Sequence, residues 1–124
     1  MPVRAGVETH DGFQTIGEKA FVDHFANGLP KEKAETLYAV QQPISATLFN
    51  GKTNAAAWKD KPSFYAVSKN DETTSPDFER FLAKRMNAST VELDSGHLSL
   101  VSHPKEIAHP VSYTHLTLPT NREV

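Results

Sequence analysis

Between residues 63 and 93 the chain leaves little topological freedom. The run SFYAVS is rich in aromatic and β-favouring residues, the composition of a buried strand. KNDETTS follows as a polar loop. Ser75, Pro76, Asp77 and Glu79 then open a helix, with a capping serine, a proline at the first helical position and acids in the first turn. Phe78, Phe81, Leu82 and Met86 supply an apolar stripe, Lys84 and Arg85 suit the C-terminal end, and Asn87 suits a left-handed terminator. STVEL follows as a second strand. Strand, helix and strand so close together form a βαβ unit, which requires parallel strands and a right-handed crossover. The fold class expected is therefore α/β.

Upstream, residues 15–58 read as short helices. Thr15 and Glu18 have capping-box spacing, and Ile16, Ala20, Phe21, His24 and Phe25 share a helical face. Gly28 and Pro30 close that segment. A second helix is expected from about Lys31, with Ala34, Leu37, Tyr38 and Gln41 along one stripe and Pro43 ending it. PISATLFNG reads as a third short helix closed by Gly51. No strand is expected in this half. At the other end, Ser102, Pro104 and Glu106 look like a helix start, but Pro110 arrives about two turns in, where proline costs about 3 kcal/mol. The alternating VSYTHLTL that follows contradicts a helix. VSYTHLTLPT resembles one translated frame of a transposon-end sequencing adapter, so residues 110–124 are expected to be a non-native, disordered tail.

The balance of charge narrows the partners. Lys and Arg number 13 against 15 Asp and Glu, for a net charge of −2, which gives no electrostatic footprint for nucleic acid or an anionic membrane. With no cysteine, disulfides and cysteine–zinc sites are excluded. No apolar run approaches the roughly 20 residues of a membrane span, and MPVRAGVETHDG has no apolar signal core. A cytoplasmic protein is expected. Neither a cofactor nor a metal is expected: His10, His24, His103 and His109 show no paired spacing and no HExxH pattern.

The chemistry lies in the loops after the two parallel strands. Both strands end at one sheet edge, where ligands bind in α/β folds, and neighbouring strands lie about 4.8 Å apart. Asp71 comes three residues after the first strand and His97 four after the second. An aspartate there can hold the histidine Nδ1–H and leave Nε2 free as a general base. Taken singly, Asp71 reads as a turn residue and His97 as a satisfied surface group; the juxtaposition raises the catalytic reading. Asp77 is explained by its place in the first helical turn, and Asp94 is too close to His97 in sequence to be the usual partner. Trp58 reads as packing between the helical segment and the sheet, and Lys84 and Arg85 as a solvated helix end.

The stretch AWKDKPSFYAVSKNDETTSPDFERFLAKRMNASTVELDSGHLSLVSHPKEIAH resembles the C-terminal part of the α/β-hydrolase superfamily, in particular small bacterial hydrolases. The resemblance covers residues 10–109, with Trp-Lys, Lys-Pro, Asn-Asp, Ala-Lys-Arg and Gly-His features, and with SGH in place of the commoner SSH. It implies a helical cap-end segment over 1–58 and the last βαβ portion of the hydrolase core over 59–109. It further implies Asp71 as triad acid, His97 as triad base, and a small-molecule ester or amide as substrate of an intact parent. The nucleophile is expected outside this chain, since no Gly-x-Ser-x-Gly elbow occurs in it. Haloperoxidase, lyase and dehalogenase chemistries share the fold and stay open, as does a non-catalytic binding domain.

Overall fold

The computed structural model describes residues 1–117. The chain opens with a short helix α1 (Pro2–Ala5), followed by strands β1 (Val7–His10) and β2 (Phe13–Ile16). Helix α2 (Glu18–Ala20) runs directly into a wide turn over Phe21–Phe25, closed by the Ala26 N–H donating to Phe21 O at 2.8 Å, five residues back. Helix α3 (Lys31–Ala39) and the two-residue strand β3 (Ile44–Ser45) complete this half, with single tight turns at Leu48–Asn50 and Ala57–Lys59. Then come β4 (Phe64–Ser68), α4 (Pro76–Arg85), β5 (Ser89–Leu93), α5 (Ser99–Ser102) and α6 (Pro104–Thr117).

The βαβ unit has the expected form. β4 and β5 pair in parallel, in register from Phe64 opposite Ser89 to Ser68 opposite Leu93. Ser75 caps α4, its Oγ accepting the Phe78 N–H at 3.1 Å. Asn87 ends that helix with φ +51°. Val67 is fully buried, and α4 and α6 both pack on β4.

Three sequence expectations are corrected. The first half is not purely helical: β1, β2 and β3 form an antiparallel sheet. Asp11 and Gly12, both with positive φ (50° and 81°), make the two-residue hairpin turn, the primed geometry that matches strand twist. Thr15 therefore lies in β2, and Gly17, not Thr15, stands at the N-terminus of α2. Of PISATLFNG, Ile44–Ser45 is strand and only Leu48–Asn50 is helical. The Gln41 amide grips β2, accepting from Ile16 N–H at 2.9 Å and donating to Ile16 O at 2.8 Å.

Second, the stripe on α4 is rotated. Its buried residues are Glu79 and Ala83, whereas Phe78 and Phe81 are 52% and 56% exposed and stack with centroids 5.9 Å apart. Third, helix α6 continues through Pro110 as far as Thr117. Proline removes one hydrogen bond but its φ suits a helix, so the backbone is tolerated where disorder was expected. The remainder of the expected tail, residues 118–124, lies outside the described residues.

The two halves share one core. Phe21, Ala26 and Ala34 are buried together, and Leu98, from the loop after β5, packs against them. Asn27 donates its side-chain N–H to Asn70 O at 2.8 Å, and His24 Nδ1 meets Glu72 Oε2 at 2.9 Å. The first half therefore braces both loops at the sheet edge.

Candidate active site

The loops after β4 and β5 are laced to each other beyond the end of the sheet. Lys69 N–H donates to Leu93 O and Asn70 N–H to Ser95 O, each at 2.9 Å. The Asn70 side chain donates to Asp94 Oδ1 at 2.8 Å, which gives Asp94 a structural role in the loop. This lacing carries Asp71 and His97 to the same place.

Asp71 is 5% exposed, and its two oxygens do different work. Oδ1 accepts the backbone N–H groups of Thr73 at 2.7 Å and Thr74 at 2.9 Å. Oδ2 lies 2.8 Å from His97 Nδ1. An ionised carboxylate only accepts, so Nδ1 carries the proton and, in the neutral imidazole, Nε2 is the basic nitrogen. The ring of Phe25 stands 5.1 Å from that of His97 and flanks it. Gly96 is fitted to this loop: a Cβ there would run into the Asn27 side chain and carbonyl. The SGH wording thus has a steric cause.

Asp71 and His97 line an open cleft of about 320 Å³ with Tyr65, Ser68, Thr74 and Glu79. Glu79 escaped the sequence reading, which placed it with Asp77 as a helix-dipole acid. Asp77 is indeed exposed and pairs with Arg80 at 2.9 Å. Glu79 instead points inward at 5% exposure, and its Oε1 accepts the Ser68 N–H at 3.2 Å. Burial, opposed by that hydrogen bond and reinforced by the Asp71 carboxylate, pushes the Glu79 carboxyl up to about 7. Burial and the same two acids also raise the Tyr65 phenol. Glu79 and Ala83, four apart, share the inward face of the helix, but no local pattern marks that face, because hydrophobicity points to Phe78 and Phe81.

Around the site, Arg80 clamps Glu92 of β5 through two hydrogen bonds, at 2.8 and 2.9 Å. These contacts raise the Arg80 pKa and lower that of Glu92. Trp58 is half-buried with the Arg85 guanidinium 5.5 Å from its ring centroid, so it packs against the end of α4. Among the described residues no group of three or more His, Cys, Asp or Glu side chains is arranged to hold a metal ion. No described helix is long and apolar enough to cross a membrane.

A parallel βαβ unit with an aspartate and a histidine joined at its C-terminal edge makes this an α/β protein. The family model described as "Alpha/beta hydrolase family" matches residues 2–109, and the chain belongs to that family. Neither the search of curated proteins nor that of solved structures gave a match.

Proposed function

We propose that this chain is the acid–base part of an α/β-fold hydrolase whose intact parent cleaves a small ester or amide. The observation that carries the reading is the 2.8 Å contact between Asp71 Oδ2 and His97 Nδ1, with Asp71 held by two backbone N–H groups. In this reading Asp71 fixes the tautomer and orientation of the imidazole. His97 Nε2 takes the proton of a serine as that serine attacks the substrate carbonyl, then returns it to the leaving group. The serine comes from a part of the parent outside these 124 residues, since no Gly-x-Ser-x-Gly elbow occurs in them. Residues 110–124 are read-through from an adapter, as the wording of VSYTHLTLPT supports.

The test starts from genomic DNA. Upstream of Met1 the same frame should encode a strand–turn–helix with the elbow, and downstream of codon 109 a sequence other than the adapter. The parent, expressed whole, should hydrolyse short p-nitrophenyl esters and lose that activity in His97→Ala. An uninterrupted frame without an elbow, or turnover untouched by His97→Ala, overturns the reading.

A further inference from the structure

Glu79 is a buried carboxyl that the acid–base pair does not itself use. It reaches in from α4 to the end of β4, into the cleft that Asp71 also lines. Oε1 is satisfied by the Ser68 N–H, while Oε2 is buried and makes no hydrogen bond. A buried oxygen without a partner is costly, and more so if charged. Asp71 lines the same cleft and is also buried; its Oδ1 accepts two backbone N–H groups and its Oδ2 one ring N–H, which leaves an acceptor site on Oδ2. Two buried carboxylates sharing one site cannot both ionise cheaply.

We propose that Glu79 is a positioning residue for the Asp71–His97 pair, standing as a neutral carboxylic acid that offers its Oε2–H to the Asp71 carboxylate.

The groups facing Glu79 fit that role. From β4 come the Ser68 N–H and the Tyr65 phenol, and from the loop after β4 comes Asp71. Arg80, its neighbour on α4, is turned to Glu92 and Asp77 and opposes Asp71 only weakly. His97 lines the same cleft, beyond Asp71. The terminal carboxyl torsion of a glutamate is soft, so a protonated Oε2 can swing to Asp71 at little expense. The Asp71 carboxylate then has a further donor besides Thr73, Thr74 and His97. When Glu79 ionises, the donor is lost and a second negative charge pushes on Asp71. Acid–base geometry at the site is thereby tied to the protonation of a helix residue outside the acid–base pair. This rests on the proposed role of the pair, but its test reads hydrogen bonding and not turnover, so the two can fail separately.

The test uses the full 124-residue chain, isotopically labelled, with NMR of the His97 Nδ1–H proton and of the Glu79 side-chain carboxyl carbon. The Val67 methyl signals report the fold of each variant. In the unaltered chain the Nδ1–H signal should be sharp at pH 6 and broadened by exchange at pH 8.5, following the Glu79 titration. Glu79→Gln, which keeps a neutral donor, should hold the signal sharp at both pH values. Glu79→Ala should broaden it at both. In Asp71→Asn the Glu79 carboxyl should titrate at lower pH. The proposal is overturned if Glu79→Gln and the unaltered chain change alike between pH 6 and 8.5, or if a folded Glu79→Ala keeps a sharp signal. An unmoved Glu79 titration in Asp71→Asn overturns it as well. Should Glu79→Ala not fold, the glutamine comparison decides alone.

Discussion

His97 Nδ1 lies 2.8 Å from Asp71 Oδ2, although 26 residues of chain separate them. The separation is bridged by one crossover helix and two loops whose backbones hydrogen-bond to each other. Replacing Asp71 by Asn keeps the size of the side chain but turns an obligate acceptor into a group that can also donate. The imidazole then loses the contact that fixes its tautomer. In the proposed parent, Asp71→Asn should lower kcat by a factor on the order of 10⁴, as loss of the triad acid does elsewhere, with a smaller change in KM. A change of less than tenfold in steady-state ester hydrolysis would show that Asp71 is not the working acid.

In the proposed reading the chain by itself carries a base without a nucleophile elbow. Triad members act as a unit, and removing the nucleophile leaves little of the rate. Activated esters should therefore turn over no faster with the 124-residue chain than with its His97→Ala variant at pH 8. A reproducible His97-dependent rate would point to a nucleophile within these residues.

Gly96 allows the histidine loop to approach the Asn27 backbone. Gly96→Ala should force the two segments apart and cost about 1–3 kcal/mol, the usual range for overpacking. It should also disturb the Asn27 to Asn70 hydrogen bond. Chemical denaturation compared with the unaltered chain checks the size, and a stabilising or neutral alanine would refute the steric account. Gly96→Ser, the commoner wording, should behave no better.

What was legible in the sequence, and what was not, follows from the kind of signal involved. The βαβ unit could be read because its cap, its first-turn acids and its terminator all agree, and the structure keeps Ser75 and Asn87 in those places. The first hairpin was missed although Asp11-Gly12 is a strong turn pair. Its strands are four residues each, β1 exposed and β2 mostly half-buried, and neither carries an apolar alternation to announce it. The face of α4 was misassigned because hydrophobicity pointed to Phe78 and Phe81, whereas the helix buries Glu79 and Ala83. A local pattern cannot reveal that a carboxylate is wanted inside, since that need arises only once Ser68 and Asp71 stand beside it. Asp71 and His97 were legible for the opposite reason: a parallel pair fixes which loops meet.

Glu79 also makes stability depend on pH, with a sign that can be worked out. Its folded pKa, about 7, lies above the ordinary 4.5. The neutral carboxyl is thus the form the fold prefers. The resulting stability is complete below pH 4.5 and is lost as pH rises through 7. Glutamine has no such dependence. Glu79→Gln should gain on the unaltered chain between pH 4.5 and 7, and the gain should level off at roughly 3 kcal/mol or less above pH 8. Denaturation midpoints at pH 4 and pH 8 check this. Equal differences at the two pH values would mean that Glu79 is not a perturbed acid.

The exposed pair Phe78 and Phe81 separates the two accounts of α4 quantitatively. If these rings packed on the sheet, as their spacing suggests, replacing either by a polar residue would cost about 3–5 kcal/mol. In the structure they stack on each other at 5.9 Å, with more than half of each side exposed. What they would lose is the ring–ring contact, about 0.5–1.5 kcal/mol, and part of that returns as better helix propensity when the replacement is glutamate or lysine. Phe78→Glu and Phe81→Lys together place opposite charges three residues apart on one helix face, an arrangement worth a few tenths of a kcal/mol. The double variant should therefore lie within about 1 kcal/mol of the unaltered chain, and the smaller apolar patch should make it more soluble. A loss above roughly 3 kcal/mol in urea titration would return these rings to the core and rotate α4, taking Glu79 out of the site.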